Sequence, residues 1–462
     1  MTDDVLTESM AGPAIRAWEM AAALAVRHEV VLATTSPVCE RSSGTFAVEA
    51  CGPDRFAALE RWCSVVVVQG YVLHHVPLLK TTDKVMVVDL YDPIFLEALE
   101  LNRSQPEPGR SDHLAECLRV FGEQMTRGDF FMCASEKQRD MWVGFLAAAG
   151  RVNTAVYESD PTLRRLIDVV PFGLPDQAPR RSGQPAMRAA VPGIGPGDEV
   201  VLWGGGVYEW LDPRTAIMAV DRVRSSHPAV RLFFLGVRHP NPVAEESRAL
   251  TAARELSARL GLTGTHVFFN EGWVPYERRA DFLLEADVGI SLHHDHVETA
   301  YSFRTRILDS IWAGLPTVAT AGDTFAEVIA GEGLGAVVHP ADPDAVAAAI
   351  AGLLEDPAGR DACRRRAATV APRYTWASAL GPLLDFCDAP GPAPDRASLR
   401  PWPAAGPLPQ PAPAPDRAGG PAPGPGRVDR WASRAARLTG AYRRGGVKAV
   451  ATGAGRALRR RI

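Results

Sequence analysis

The sequence predicts an α/β protein of two doubly wound, parallel-sheet domains facing a cleft, followed by a Pro-rich linker and a basic tail. Three observations carry this expectation. Short apolar runs alternate with helical apolar patterns through the first 388 residues, as layered βαβ units do. The runs fall into two series separated by Pro175–Asp198, a stretch rich in Pro, Gly and Arg that reads as a hinge. Two such sheets place a ligand cleft at the carboxyl ends of both sets of strands.

The first series of candidate strands is His28–Ala33, Ser64–Val68, Lys84–Asp89, Phe130–Cys133 and Ile167–Val170. The second is Glu199–Trp203, Val230–Leu235, His266–Phe269, Val288–Leu292, Thr317–Ala319 and Ala336–Val338. Thr2–Glu8 has the character of a loop that follows a first strand, and Gly12–Arg16 that of a turn opening a first helix. No strand stands ahead of them. The first strand of a doubly wound sheet is central, so three outcomes are open: an upstream start, an N-terminal sheet with unpaired backbone, or another segment in its place.

Composition narrows the functional classes. The 462 residues are 46% hydrophobic and 23% charged, enough for large cores. A net charge of −4 argues against nucleic acid as a partner. The seven cysteines are scattered, and none has CxxC spacing, so neither a disulfide framework nor a zinc ribbon is expected. No apolar run approaches the length of a membrane span and the N-terminus lacks the pattern of a signal peptide, so a reduced cytoplasmic protein is expected.

The composition breaks near residue 388. Between Ala389 and Gly426, 13 of 38 residues are Pro, and residues 389–426 are expected to be a disordered, semi-extended linker. Residues 427–462 carry 11 Lys or Arg against one acid, a net +10, which leaves −14 on residues 1–426. Trp431, Leu438 and Tyr442 fall on one helical stripe among arginines. The tail reads either as an amphipathic helix on the inner, anionic face of a membrane or as a solvated basic segment.

Several segments together resemble one family, the retaining nucleotide-sugar glycosyltransferases of family 4. Gly12-Pro-Ala-Ile-Arg16, then Glu19, Ala21, Leu24 and His28-Glu29-Val30, is similar to the family's glycine loop, helix and second strand. Val170-Pro-Phe-Gly-Leu174 is similar to its hinge segment, and Ala313-Gly-Leu-Pro316 with Gly322-Asp323 and Glu327 to the segment under the donor. Asp342-Pro-Asp-Ala345, Leu353-Leu354 and Asp356-Pro357 resemble its penultimate helix; Tyr374-Thr-Trp376 opens what resembles its final one. The resemblance covers residues 3–387. It implies two Rossmann-like domains in the GT-B arrangement: 1–174 on the acceptor side, a hinge at 175–198, a donor domain at 199–371, and a closing helix at 372–388 that crosses back. It also implies sugar transfer (EC 2.4) from a nucleoside diphosphate sugar to an acceptor hydroxyl, with retention and without a metal or other cofactor. A lipid-linked or polysaccharide acceptor of the cell envelope is hinted at by the basic tail.

Candidate site residues follow from chemistry and from position in these motifs. Gly204, Gly205 and Gly206, after the apolar run Val200–Trp203, bring backbone N–H groups close to a diphosphate or simply make a tight turn. Gly12 is expected to do the same from the acceptor side, with Arg16 one turn further as a ligand or a surface charge. In Glu298–Asp309, Asp309 stands where the family has a ribose-binding Glu, and Glu298 stands eleven residues before it, not the usual eight. The stretch Gly206–Pro213 lacks the Arg and Lys that neutralise the donor phosphates in the family. Arg304, with or without Arg306, is expected to replace them beside Ser302, since guanidinium suits phosphate oxygens. Glu327 completes the donor set. Asp89 and Asp92 are candidates for acid/base or hydroxyl-positioning work with Arg304 as the third catalytic group, while Asp92 could equally cap a helix. Ser135 and Glu136 are placed on the acceptor side. His74-His75 and His293-His294-Asp295-His296 lack the geometry of a metal site, and His294 or His296 is expected near the donor sugar. Two rivals to the transferase remain open, a nucleotide-sugar epimerase and a catalytically inactive nucleotide-sugar-binding scaffold.

Overall fold

The computed structural model describes residues 1–188 and 190–402; the basic tail and the later part of the linker lie outside them. In the first domain, α1 (Gly12–Leu24) precedes β1 (Val31–Thr34), β2 (Ala47–Ala50), β3 (Val65–Gln69), β4 (Val85–Asp89) and α2 (Ile94–Leu101). Then follow β5 (Phe130–Cys133), α3 (Glu136–Ala148) and β6 (Ile167–Val169). Strands β3 to β6 form one parallel sheet in sequence order. The nearly unbroken apolar character of β4 and β5 follows from burial on both faces. β2 is absent from the expected strands because its four residues are exposed or half-buried and carry no apolar run.

β1 and β2 form a separate parallel pair. Between β1 and β3 lies a slot of about 630 Å³, walled by Leu32 and Ala33 on one side and Val65, Val66 and Val67 on the other. Met1 sits at its end: the terminal ammonium donates to the Val67 carbonyl at 2.7 Å, and Thr2 makes a parallel bridge to Thr34. The first two residues thus join the two sheets only at their carboxyl edge.

The second domain contains β7 (Glu199–Trp203), β8 (Val230–Phe234), β9 (Val267–Phe269) and β10 (Val288–Ser291), then α4 (Val297–Tyr301) and α5 (Thr305–Ala313). It ends with β11 (Thr317–Thr320), α6 (Thr324–Glu332) and β12 (Gly335–Val338) ahead of two long helices. All six strands are parallel, in the order β12-β11-β10-β7-β8-β9. The order reverses at β7, which opens a crevice beyond its carboxyl end. α5 stops at Gly314, whose φ of 64° is left-handed and favours glycine.

The two domains share an apolar core that runs from Met20 and Phe130 through Phe172 to Ile307, Phe325 and Trp376. The chain crosses between them twice, side by side. Leu174 donates to the Tyr374 carbonyl at 2.7 Å and accepts from the Trp376 N–H at 2.8 Å. Gly173 makes room for the Trp376 ring, which a Cβ there would meet at 2.5 Å. α7 (Gly381–Asp388) then returns to the first domain, where Phe386 stacks on Phe130 with centroids 4.7 Å apart.

The expectation of disorder from residue 389 onward is corrected for residues 389–402, which pack on the first domain. Asp395 is buried in a two-pronged ion pair with Arg151, at 2.9 and 3.1 Å. Asp129 accepts from the Ala393 N–H at 3.0 Å and from Arg396 at 3.2 Å. Trp402 stacks on Phe145 with centroids 5.5 Å apart. A Pro-rich segment needs no ladder of its own when side chains anchor it, and these side chains do. Among the described residues, no helix is long and apolar enough to cross a membrane.

Candidate active site

A cavity of about 370 Å³ occupies the crevice between the domains, lined by Gly12, Asp92, Gly204–Gly206, Glu298, Arg304 and Arg306 among others. Its floor is the turn after β7. Gly205 has a φ of +133°, a conformation that only glycine adopts readily, and a Cβ on Gly206 would lie 2.6 Å from the Tyr208 ring. Across the cleft, Gly12 opens α1 without a side-chain cap, Pro13 fitting the first turn.

The two arginines of the donor segment have different environments. Arg304 donates to Glu298 at 2.6 Å, both side chains being buried, so each neutralises the other. Arg306 extends from α5 over the glycine turn: Nη2 donates to the Gly206 carbonyl at 2.9 Å, and the guanidinium lies 5.0 Å from the Trp203 ring centroid. Its Nη1 is buried without a partner. Burial and the neighbouring Arg304 charge push Arg306 down to about 10, the response of a cation without a counter-ion. Both expected arginines line the cavity and each has a buried nitrogen without a partner, Nε in Arg304 and Nη1 in Arg306; only Arg304 is paired with a carboxylate.

The eleven-residue separation of Glu298 from Asp309 is explained by α4. This short helix and the extended turn after it fold the longer segment back, so that both carboxylates line the same cavity. Ser302 is beside them, its hydroxyl donating to the Thr299 carbonyl at 3.0 Å. Asp309 accepts from Arg279 at 3.2 Å, and burial raises its carboxyl.

Asp92 faces the cavity from the first domain. It does not cap α2, whose N-cap is Pro93 without a side-chain bond. Glu97, one turn into α2, faces the same space. Burial, then the Glu298 charge, pushes Asp92 up to about 7, while burial, then Asp92, holds Glu97 well above the carboxylate range. Such a pair shares protons near neutrality and can hold a hydroxyl by accepting from it.

The remaining expected residues lie elsewhere or are otherwise engaged. Asp89 is gripped by Arg16 at 2.7 and 2.9 Å, and Arg16 also donates to the carbonyls of Val170 and Pro171. That buried clamp locks α1 to β4 and the hinge strand, which removes Asp89 from proton transfer and Arg16 from ligand binding. Ser135 caps α3 by accepting from Gln138 at 3.1 Å, and Glu136 is an exposed partner of Arg164 at 2.8 Å. Glu327 is exposed on α6 and does not line the cavity. His75 pairs with Asp3 at 2.9 Å, and His296 caps α4 at 3.3 Å. His294 is partly exposed, 3.9 Å from Asp212, and His293 is the buried member of the group. Among the described residues, no group of three His, Cys, Asp or Glu side chains converges as metal ligands do.

Glu97, Arg279 and the stacked pair Tyr208 and Trp210, with centroids 5.0 Å apart, line the cavity without having been expected there. For Tyr208 and Trp210 a signal existed: two aromatics within four residues after a triple glycine at a strand end. Glu97 and Arg279 carry no local signal, since each reaches the cleft only through the packing of its helix.

Residues 198–356 match the model of a family described as glycosyl transferases group 1. Over 232 residues the chain is 27% identical to the D-inositol 3-phosphate glycosyltransferase of Segniliparus rotundus. That alignment covers 50% of this chain and 48% of the relative, so the chain spans about half the length of the curated protein it matches. The sucrose-phosphate synthase of Thermosynechococcus elongatus superposes with a TM-score of 0.61 at 18% identity, covering 84% of this chain and 96% of that one. WaaG, a glycosyltransferase of lipopolysaccharide biosynthesis, gives 0.57 at 18% identity over 84% and 99% of the two chains. Anabaena HepE, solved in complex with UDP-glucose, gives 0.57 at 13% identity over 84% and 98%.

Proposed function

We propose, from the match of residues 198–356 to the group 1 glycosyl transferases and from the GT-B fold, that the protein transfers a sugar from a nucleoside diphosphate sugar to an acceptor hydroxyl. The observation that carries the reading is the Arg306 guanidinium held over the Gly204–Gly206 turn with its Nη1 unpartnered, at the carboxyl end of the strand where the sheet order reverses. A diphosphate there meets the free Nη1 and backbone N–H groups from below and the first turn of α1 from above. These groups stabilise the charge that develops as the glycosidic bond breaks. Asp92 and Glu97 orient the acceptor hydroxyl; Glu298 with Arg304 forms the wall facing the donor sugar; Asp309 stands where ribose hydroxyls donate. Retention, with the departing diphosphate oxygen taking the acceptor proton, belongs to the same reading and rests on the family likeness. The UDP-glucose bound by HepE supports uridine donors as the first to try.

Binding of UDP, GDP, ADP and TDP and their sugar conjugates, followed by thermal shift and isothermal titration, tests the reading. One base should raise the melting point of the wild type, and Arg306→Ala should markedly reduce that response at the same ligand concentration. A well-folded protein indifferent to every nucleotide would sink it.

A further inference from the structure

A second chamber of about 260 Å³ opens off the cleft into the first domain. Pro13, Tyr91, Asp92 and His239 line both spaces, so a molecule in the chamber reaches the donor cavity directly. On the first-domain side the chamber is lined by Asp3, Asp4, Gln69 and Tyr71 among others.

The polar groups of this wall are unbalanced. Gln69 is 4% exposed, and both its amide hydrogens are engaged, by Thr2 Oγ1 at 2.7 Å and by the Pro13 carbonyl at 2.9 Å. Its carbonyl oxygen is buried with no partner. Asp4 accepts from the Val5 N–H at 2.9 Å, and burial raises its carboxyl. Asp3 holds the Tyr71 N–H at 2.7 Å and His75 at 2.9 Å. No Lys or Arg lines the chamber. The guanidinium behind it, Arg16, is fully engaged by Asp89 and two carbonyls. The wall therefore offers hydrogen-bond acceptors and negative charge and lacks the cations that a phosphate requires.

On the glycosyltransfer reading above, we infer that this chamber takes the reacting end of an acceptor that is rich in hydroxyls and bears no phosphate, with the Gln69 carbonyl and Asp4 receiving its hydroxyl protons. A sugar or polyol end supplies the missing donors. A phosphate in place of one of those hydroxyls adds acceptors and a charge of the wrong sign.

The test measures nucleoside diphosphate release by the full chain with its best donor, against glucose, mannose, myo-inositol and their monophosphates at matched concentrations. Release should be fastest with a neutral member, and kcat/KM for its monophosphate should be at least tenfold lower. Asn241→Lys, on the chamber rim, should raise kcat/KM for the monophosphate severalfold while leaving donor affinity unchanged. A monophosphate preferred by the wild type, or no release above hydrolysis with any neutral member, would overturn the inference. Failure of every nucleotide to bind would instead overturn the underlying reading.

Discussion

Arg306 Nη2 donates to the Gly206 carbonyl at 2.9 Å, and this bond holds the guanidinium over the glycine turn with its other nitrogen unpaired. Six residues from Glu298, Arg304 is neutralised instead. Two arginines two positions apart thus have separable consequences. Arg306→Ala should weaken donor binding by about 2 kcal/mol, the worth of charge-assisted hydrogen bonds, with the melting point unchanged or raised. Arg304→Ala should cost about 3–5 kcal/mol of stability because it strands Glu298 in the interior. Titration calorimetry and urea unfolding on both variants separate these outcomes; equal loss of stability in the two would contradict the assignment.

The Asp92 carboxyl, held up at about 7 by burial first and then by the Glu298 charge, makes stability depend on pH. The unfolded chain releases this proton near pH 4 and the folded chain near pH 7, so the folded state binds more protons in between. Its contribution is full below about pH 4 and is lost as the pH rises toward 7. Asp92→Asn should flatten that decline in unfolding measurements from pH 4.5 to 7.5. Parallel curves for wild type and variant would refute it.

Asp395→Ala should destabilise the first domain by about 3–5 kcal/mol, since Arg151 is fully buried and would lose its counter-ion. Cutting the chain after residue 388 should do the same. Arg400→Ala, at an exposed position, should change nothing measurable by thermal unfolding. A first domain indifferent to both the cut and Asp395→Ala would show that residues 389–402 do not support it.

Five β-forming apolar residues joined to the Met1 nitrogen would run between β1 and β3, where both edges present unpaired backbone. Burial of their side chains should outweigh ordering and add about 2 kcal/mol. A second readout is electrostatic. Burial lowers the Met1 ammonium to about 6, so the unfolded chain binds more protons between pH 6 and 8 and stability falls as the pH drops through that window. The extension should abolish this slope. A lower melting point in the extended protein would mean that the slot rejects a strand.

The second domain was almost wholly legible in the sequence. Val200–Trp203, Val230–Leu235 and Val288–Leu292 are apolar because both sheet faces are covered, and Gly314 marks a helix end by its left-handed backbone. β2 was not, because an exposed four-residue edge strand has no apolar period. Within the site, glycines that make room at a strand end were legible, since that need is local. The choice between Arg304 and Arg306 was not: it depends on α4 bringing Glu298 beside Arg304, a matter of packing. Asp89 and Arg16 looked like chemistry because paired charges and catalytic charges have the same composition. Residues 390–402 looked featureless because their anchors, Arg151 and Asp129, lie more than two hundred residues away.

The paired crossings at Leu174 and Trp376 restrict how the cleft can change width. Rotation about an axis through both strands alters a few backbone torsions and leaves their mutual hydrogen bonds intact. Rotation about a perpendicular axis would shear those bonds and pull Trp376 from the space beside Gly173. At the crossings themselves, sliding of one strand past the other therefore costs more than rotation about them.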